Sequence, residues 1–225
     1  MKNFSDSVKY IGADDKDLDL FESQYIVPNG VSYNSYVIID DKIAVMDTID
    51  ERKTDEWFAN LEKELGGKTP DYLVISHLEP DHSANIKKFT EKYPSAALVG
   101  TAKTFAMLPQ FFDIDASVEK ITVKEGDCLS LGSHELTFIM APMVHWPEVM
   151  LEYEKTEKIL FSADAFGKFG ALDTDGLAKQ GVIISTLWEN TADLFRLCLK
   201  KRQILRLKQS ARFTAPFLQK ILNIT

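Results

Sequence analysis

Four side chains of metal-ligating type fall within six positions in His77-Leu78-Glu79-Pro80-Asp81-His82, and the residues on either side fix where they stand in a fold. The apolar run Tyr72-Leu73-Val74-Ile75-Ser76 before them reads as a buried strand. After them, Ser83 and then Ala84 to Tyr93 read as a cap and a helix. A tight loop at the C-terminal end of a strand folds several side chains back toward one point. Any one of these residues alone would be read as a solvated side chain, but packing does not explain two imidazoles and two carboxylates placed together. The order His-x-Glu-x-Asp-His suits two adjacent metal ions, with alternate residues serving one ion and the next pair serving the other.

Two further polar residues stand at strand ends in the same way. His145 follows the run Phe138-Ile139-Met140-Ala141-Pro142-Met143, and Asp164 follows Ile159-Leu160-Phe161-Ser162-Ala163. His134, in the turn Gly132-Ser133-His134-Glu135, receives no functional role, and Asp113, Asp115 and Asp127 read as solvated loop carboxylates.

The strands around these positions set the fold class. Tyr25 to Val27 and Ser35 to Ile39 read as strands with Pro28-Asn29-Gly30 as a turn between them, and Ile43 to Asp47 completes an antiparallel meander. Arg52 to Leu65 places Trp57, Phe58, Leu61 and Leu65 on one helix face and stops at Gly66-Gly67. Ala97 to Gly100 reads as a short strand, and Thr101 to Leu108 as a helix ending near Pro109. Strands follow over Lys120 to Val123, Cys128 to Leu131, Glu135 to Met140, Val149 to Tyr153 and Ile159 to Ser162. Strand-rich halves joined by a few helices predict an α/β protein of two sheets packed face to face with helices outside.

At 225 residues the chain has room for one large domain. No run approaches the roughly 18 apolar residues of a membrane span, and the first seven residues do not read as a signal peptide. Cys128 and Cys198 are far apart and read as buried or idle thiols of a reducing, cytoplasmic compartment.

Taken together, His77-x-Glu79-x-Asp81-His82, His145-Trp146-Pro147-Glu148 and Ser162-Ala163-Asp164-Ala165-Phe166-Gly167 resemble the metallo-β-lactamase-like domain of the flavodiiron proteins. The opening Val27-Pro28-Asn29-Gly30-Val31-Ser32-Tyr33-Asn34-Ser35-Tyr36 is similar to theirs as well, and the resemblance covers about residues 1 to 175. It implies an αββα sandwich, here incomplete at the C-terminus, with a di-iron centre in a cleft at the sheet edges. By position, His77, Glu79 and His145 would bind one iron, Asp81 and His82 the other, and Asp164 would bridge them. Ordinary members of the superfamily carry His where Glu79 stands, and a carboxylate there hardens the site toward iron or manganese over zinc. The resemblance further implies reduction of dioxygen to water or of nitric oxide to nitrous oxide. Electrons would come from FMN on a following flavodoxin-like domain, fed by rubredoxin or a similar donor, in a head-to-tail homodimer. Nothing in this chain resembles the flavodoxin-like domain, so it is expected to be inactive alone. A stand-alone metallo-hydrolase of the same fold is the alternative, and Glu79 argues against it.

The tail departs from this pattern. From Gly176 onward nine basic residues face two acidic ones, a net +7, which leaves −15 for the first 175 residues of a chain whose net charge is −8. The family pattern expects a further His in a His-Gly-Pro after residue 200, whereas the last His here is His145. An amphipathic basic helix for nucleic acid or membrane is the weaker explanation, so no partner of either kind is expected. Shifting the codon frame by one base makes the tail compatible with the family sequence, including the missing His-Gly-Pro. Residues 176–225 are therefore expected to be read out of frame from a break near Asp175. They are not expected to close the second sheet, which should then expose an apolar face.

Overall fold

The computed structural model describes residues 5–165 and 170–171. The expectations for the tail and for Cys198 fall outside the described residues. The chain opens with β1 (Val8–Tyr10), β2 (Ala13–Asp15), β3 (Leu20–Phe21), β4 (Tyr25–Ile26), β5 (Val31–Tyr33), β6 (Tyr36–Ile38) and β7 (Ala44–Met46). Helix α1 (Thr54–Leu65) and β8 (Tyr72–Val74) follow, then α2 (Pro80–Ser83), α3 (Ile86–Lys92), β9 (Ala97–Thr101), α4 (Ala102–Met107) and β10 (Lys120–Val123). The last strands among the described residues are β11 (Cys128–Ser130), β12 (Glu135–Met140), β13 (Met150–Glu154) and β14 (Ile159–Phe161).

Two sheets form a sandwich. The larger has the order β1-β6-β7-β8-β9-β10, antiparallel at the β1 side and parallel from β7 to β10. The smaller is the antiparallel meander β11-β12-β13-β14. Strand alternation sorts the apolar side chains between the layers. Ile38, Ala44, Met46, Val74 and Val99 of the large sheet meet Leu136, Phe138, Met150 and Phe161 of the small one. On the opposite face of the large sheet, Val37, Val45, Leu73 and Leu98 pack under Trp57, Leu61 and Leu65 of α1 and Ile86 and Phe89 of α3.

The outer face of the small sheet carries Ile139 and Leu151, and both are buried. Val144 and Trp146 of the β12–β13 loop, with Ala163 and Ala165, fold over them.

Other sequence expectations need correction. The Pro28-Asn29-Gly30 turn exists, with the Gly30 amide on the Val27 carbonyl at 2.9 Å and Gly30 at φ 67°. It does not join two partners of one meander: β4 pairs with β3 and β5 with β2, and the meander starts at β6. A Cβ at Gly30 would come within 2.4 Å of the Asp15 carbonyl oxygen, so the close approach of β2 also requires glycine there. Ser83 caps no helix. It closes α2, its hydroxyl donates to the Leu78 carbonyl, and α3 starts after Asn85. Cys128 is exposed.

Candidate metal centre

The site is built where the parallel strands end. After β8 the chain stays buried through Ile75, Ser76 and His77. Pro80 then takes the first position of α2, where its missing N–H costs nothing and its fixed φ favours the helix. This four-residue turn carries Asp81 and His82 on a helical turn, while His77 and Glu79 stand on the loop before it. Thr48 docks the turn through its amide and hydroxyl, both donating to the His82 carbonyl at 2.8 and 2.9 Å. The small sheet supplies the rest, with His145 from the β12–β13 loop and Asp164 from the turn after β14.

All six residues singled out from the sequence come together in two groups, His77/Glu79/His145/Asp164 and Asp81/His82/Asp164, each with its ligand atoms within 4.8 Å of one another. Glu79 Oε2 lies 3.0 Å from His77 Nε2 and 2.7 Å from His145 Nε2, and the two Nε2 atoms are 3.4 Å apart. Asp164 belongs to both groups through different oxygens. Oδ2 is 3.4 Å from the Nε2 atoms of His77 and His145, and Oδ1 is 2.8 Å from His82 Nε2. Asp81 Oδ2 lies 3.7 Å from His82 Nε2. Among the described residues, His134, Asp113, Asp115 and Asp127 are in neither group.

Two carboxylates not picked out from the sequence orient the imidazoles from behind. Glu148 Oε1 accepts from His77 Nδ1 at 2.8 Å and from the Leu78 amide at 2.9 Å. Asp47 Oδ2 lies 3.2 Å from His82 Nδ1, while its Oδ1 accepts from the Ser76 amide at 2.7 Å. Each fixes the Nδ1–H tautomer and points Nε2 at the cluster, the arrangement that raises the basicity of a metal-bound imidazole. Asp47 sits at a strand end, where the logic applied to Asp164 also points. It and Ala163, the neighbour of Asp164, adopt positive φ of 54° and 43°. Non-glycine residues in the left-handed region concentrate at functional sites.

The electrostatics are those of a cation site. Burial alone would depress His77, but hydrogen bonds to Glu148 and Glu79 carry it up to about 9. His145 rises to about 10 through its bonds to Asp164 and Glu79. Burial pushes Asp81 up to about 7. Burial would also raise Glu79, yet its bonds from His145 and His77 hold it far below the usual carboxylate range. Glu79 is thus balanced by protons on His77 and His145 while burial holds Asp81 toward its neutral form, and metal cations would take over those protons' place. Asp81 Oδ1 is buried with no hydrogen-bond partner among the described residues, an orphan that a cation would satisfy. Three imidazole nitrogens and three carboxylates, one of them facing both groups, fit a pair of hard-to-borderline divalent ions such as iron. One wall is aromatic, with Trp146 edge-on to His77 at 5.3 Å between centroids and Phe111 stacked on Trp146 at 6.0 Å.

A two-sheet sandwich carrying this cluster at the strand ends is a metallo-β-lactamase-like domain of the carboxylate-containing kind. Consistent with this, the family described as "ODP family beta lactamase" matches residues 31–210, and the chain belongs to that family. Its relatives are flavodiiron proteins. Diflavin flavoprotein A 1 of Synechocystis sp. is 38% identical over 154 residues, 68% of this chain and 26% of that protein. Nitric oxide reductase of Moorella thermoacetica is 36% identical over 166 residues, 73% of this chain and 41% of that one. Among solved structures, the flavodiiron protein from Giardia intestinalis superposes with a TM-score of 0.71 at 29% identity over 76% of this chain and 41% of its own. Rubredoxin oxygen:oxidoreductase from Desulfovibrio gigas gives 0.74 at 27% identity, covering 93% and 54%. The chain spans about a quarter to two-fifths of the length of these curated relatives.

Proposed function

We propose that this chain is the di-iron domain of an oxidoreductase that reduces dioxygen to water, nitric oxide to nitrous oxide, or both. The observation that carries the reading is Asp164, whose two oxygens face two separate imidazole groups. His77, Glu79 and His145 would hold one iron, Asp81 and His82 the other, and Asp164 would join them. Iron bound there would supply the electron-accepting and electron-donating chemistry. The chain's own residues do the remaining work. Glu148 and Asp47 keep Nε2 of His77 and His82 aimed inward. His145 and Asp164, half-buried, stand on the accessible side of the cluster, where a diatomic gas would enter. Trp146 and Phe111 screen His77 from water on another side.

Electrons would come from FMN on a flavodoxin-like domain, itself reduced by rubredoxin or a similar donor, and a head-to-tail homodimer would bring flavin and iron together. We place the protein in the cytoplasm. The Glu79 carboxylate weighs against a zinc hydrolase of the same fold. Metal analysis after anaerobic iron loading tests the reading. Up to two irons per chain, with the stoichiometry reduced in Asp164→Ala, is the expected result. Zinc retained in preference to iron, or no effect of Asp164→Ala, would overturn it.

A further inference from the structure

His134 lies outside the metal centre, in the turn before β12, and only 4% of its surface is exposed. Both of its ring nitrogens face carboxylates. Nδ1 is 2.7 Å from Asp40 Oδ2 in the β6–β7 turn, and Nε2 is 3.3 Å from Glu157 Oε1 in the β13–β14 turn. A neutral imidazole has one N–H and one bare lone pair, so in either tautomer one carboxylate oxygen would face a lone pair. Only the imidazolium donates to both.

The two acids reach further. Asp40 also accepts from the His134 amide and the Ser133 hydroxyl. Glu157 accepts from the Ser5 hydroxyl at 2.7 Å, and that same oxygen accepts from the amides of Ser7 and Val8 where β1 starts. One ring therefore joins the large sheet, two turns of the small sheet and the anchor of the edge strand β1.

We propose that His134 is a proton-dependent clamp: held as an imidazolium, it locks the two sheets and the N-terminal segment together at a point separate from the metal centre. The charges around it favour that state. Asp40 and Asp41 come from the β6–β7 turn, Glu154 from the end of β13 and Glu157 from the β13–β14 turn, while nearby Lys155 is paired with Glu135 and Lys42 with Asp71. Burial opposes the charged ring, but Asp40 and Glu157 outweigh it and His134 titrates above an ordinary imidazole. Stability contributed by a raised His is fully present below the ordinary imidazole value and is lost as pH rises through the raised one. Deprotonation sends one proton to solvent and leaves Glu157 without its ring donor, which loosens Ser5 and β1.

The test compares the full chain with Glu157→Gln. Glu157 is partly exposed, so the substitution leaves the packing alone. NMR titration, with the His134 signal assigned by its loss in His134→Gln, should place His134 above the ordinary imidazole value and lower it in Glu157→Gln. The melting temperature of the parent should exceed that of Glu157→Gln at neutral pH, and the gap should close once His134 has deprotonated. The other three imidazoles are common to both proteins and cancel. Titration of His134 at or below the ordinary value, or a gap that does not change with pH, would overturn the clamp.

Discussion

Asp164 does at one residue what the cluster as a whole requires, since each of its oxygens serves a different group. Behind the cluster, the most informative substitution is Glu148→Gln. It removes the carboxylate that fixes His77 Nδ1, and should weaken metal binding roughly 10- to 100-fold while circular dichroism stays unchanged. A metal titration equal to that of the parent would show that Glu148 does not orient the ligand. The raised imidazoles set a pH dependence. Below about 9 for His77 and about 10 for His145 both rings are protonated in the metal-free chain, and cations must displace those protons. Affinity should fall as pH drops, by roughly tenfold per pH unit for each proton released, and level off in alkali. The metal-free chain runs the other way, losing the stability of these ion pairs as pH rises through the same values. Isothermal titrations at several pH values check the first trend, and melting curves of the metal-free chain the second. At this scale the six ligand-type residues were legible because strand-end polar residues have few structural reasons to exist. Glu148 was not, because it acts on the far nitrogen of another residue's ring, a relation that has no spacing in the sequence, and Asp47, which acts in the same way, was passed over although it stands at a strand end.

Among the elements, α1 was readable at its end and, with Arg52 read as the start and Thr54 found, nearly so at its beginning. Trp57, Leu61 and Leu65 are its buried face, and Gly66 closes it at φ 57° with its amide on the Glu62 carbonyl. Leu61→Ala should cost about 2–5 kcal/mol in chemical denaturation, the range for a buried leucine. Gly66→Ala should cost about 1 kcal/mol, from the left-handed backbone alone, because a Cβ there meets no atom within 4 Å. A Gly66→Ala cost as large as that of Leu61→Ala would mean that the helix end packs more tightly than this geometry allows. Strands β1 to β3 and β5 were missed because two- and three-residue strands such as Ala13–Asp15 and Val31–Tyr33 carry too little alternation to show a period. The turn α2 was missed for a related reason, since four residues starting at proline resemble a loop in sequence.

The molecule as a whole was legible as two sheets because the runs over β8 to β14 alternate or stay apolar in agreement with their layer. The tail calls for a different kind of experiment. We propose that residues 176–225 are translated out of frame. Nucleotide sequencing around the Asp175 codon should show that one base restored opens a frame through His-Gly-Pro toward a flavodoxin-like domain. Stop codons throughout that frame would rule it out.

The division of the cluster between layers has a consequence for how the protein would acquire metal. His77 to His82 arrive with the large sheet, and His145 and Asp164 with the small one. Loop closure over so long a stretch makes their meeting a late event in folding. A nascent chain released early therefore offers only two of the four residues of one group and two of the three of the other. Metal capture would then report on docking of the two sheets, and a chelator added to the iron-loaded chain should compete far better during refolding than after it.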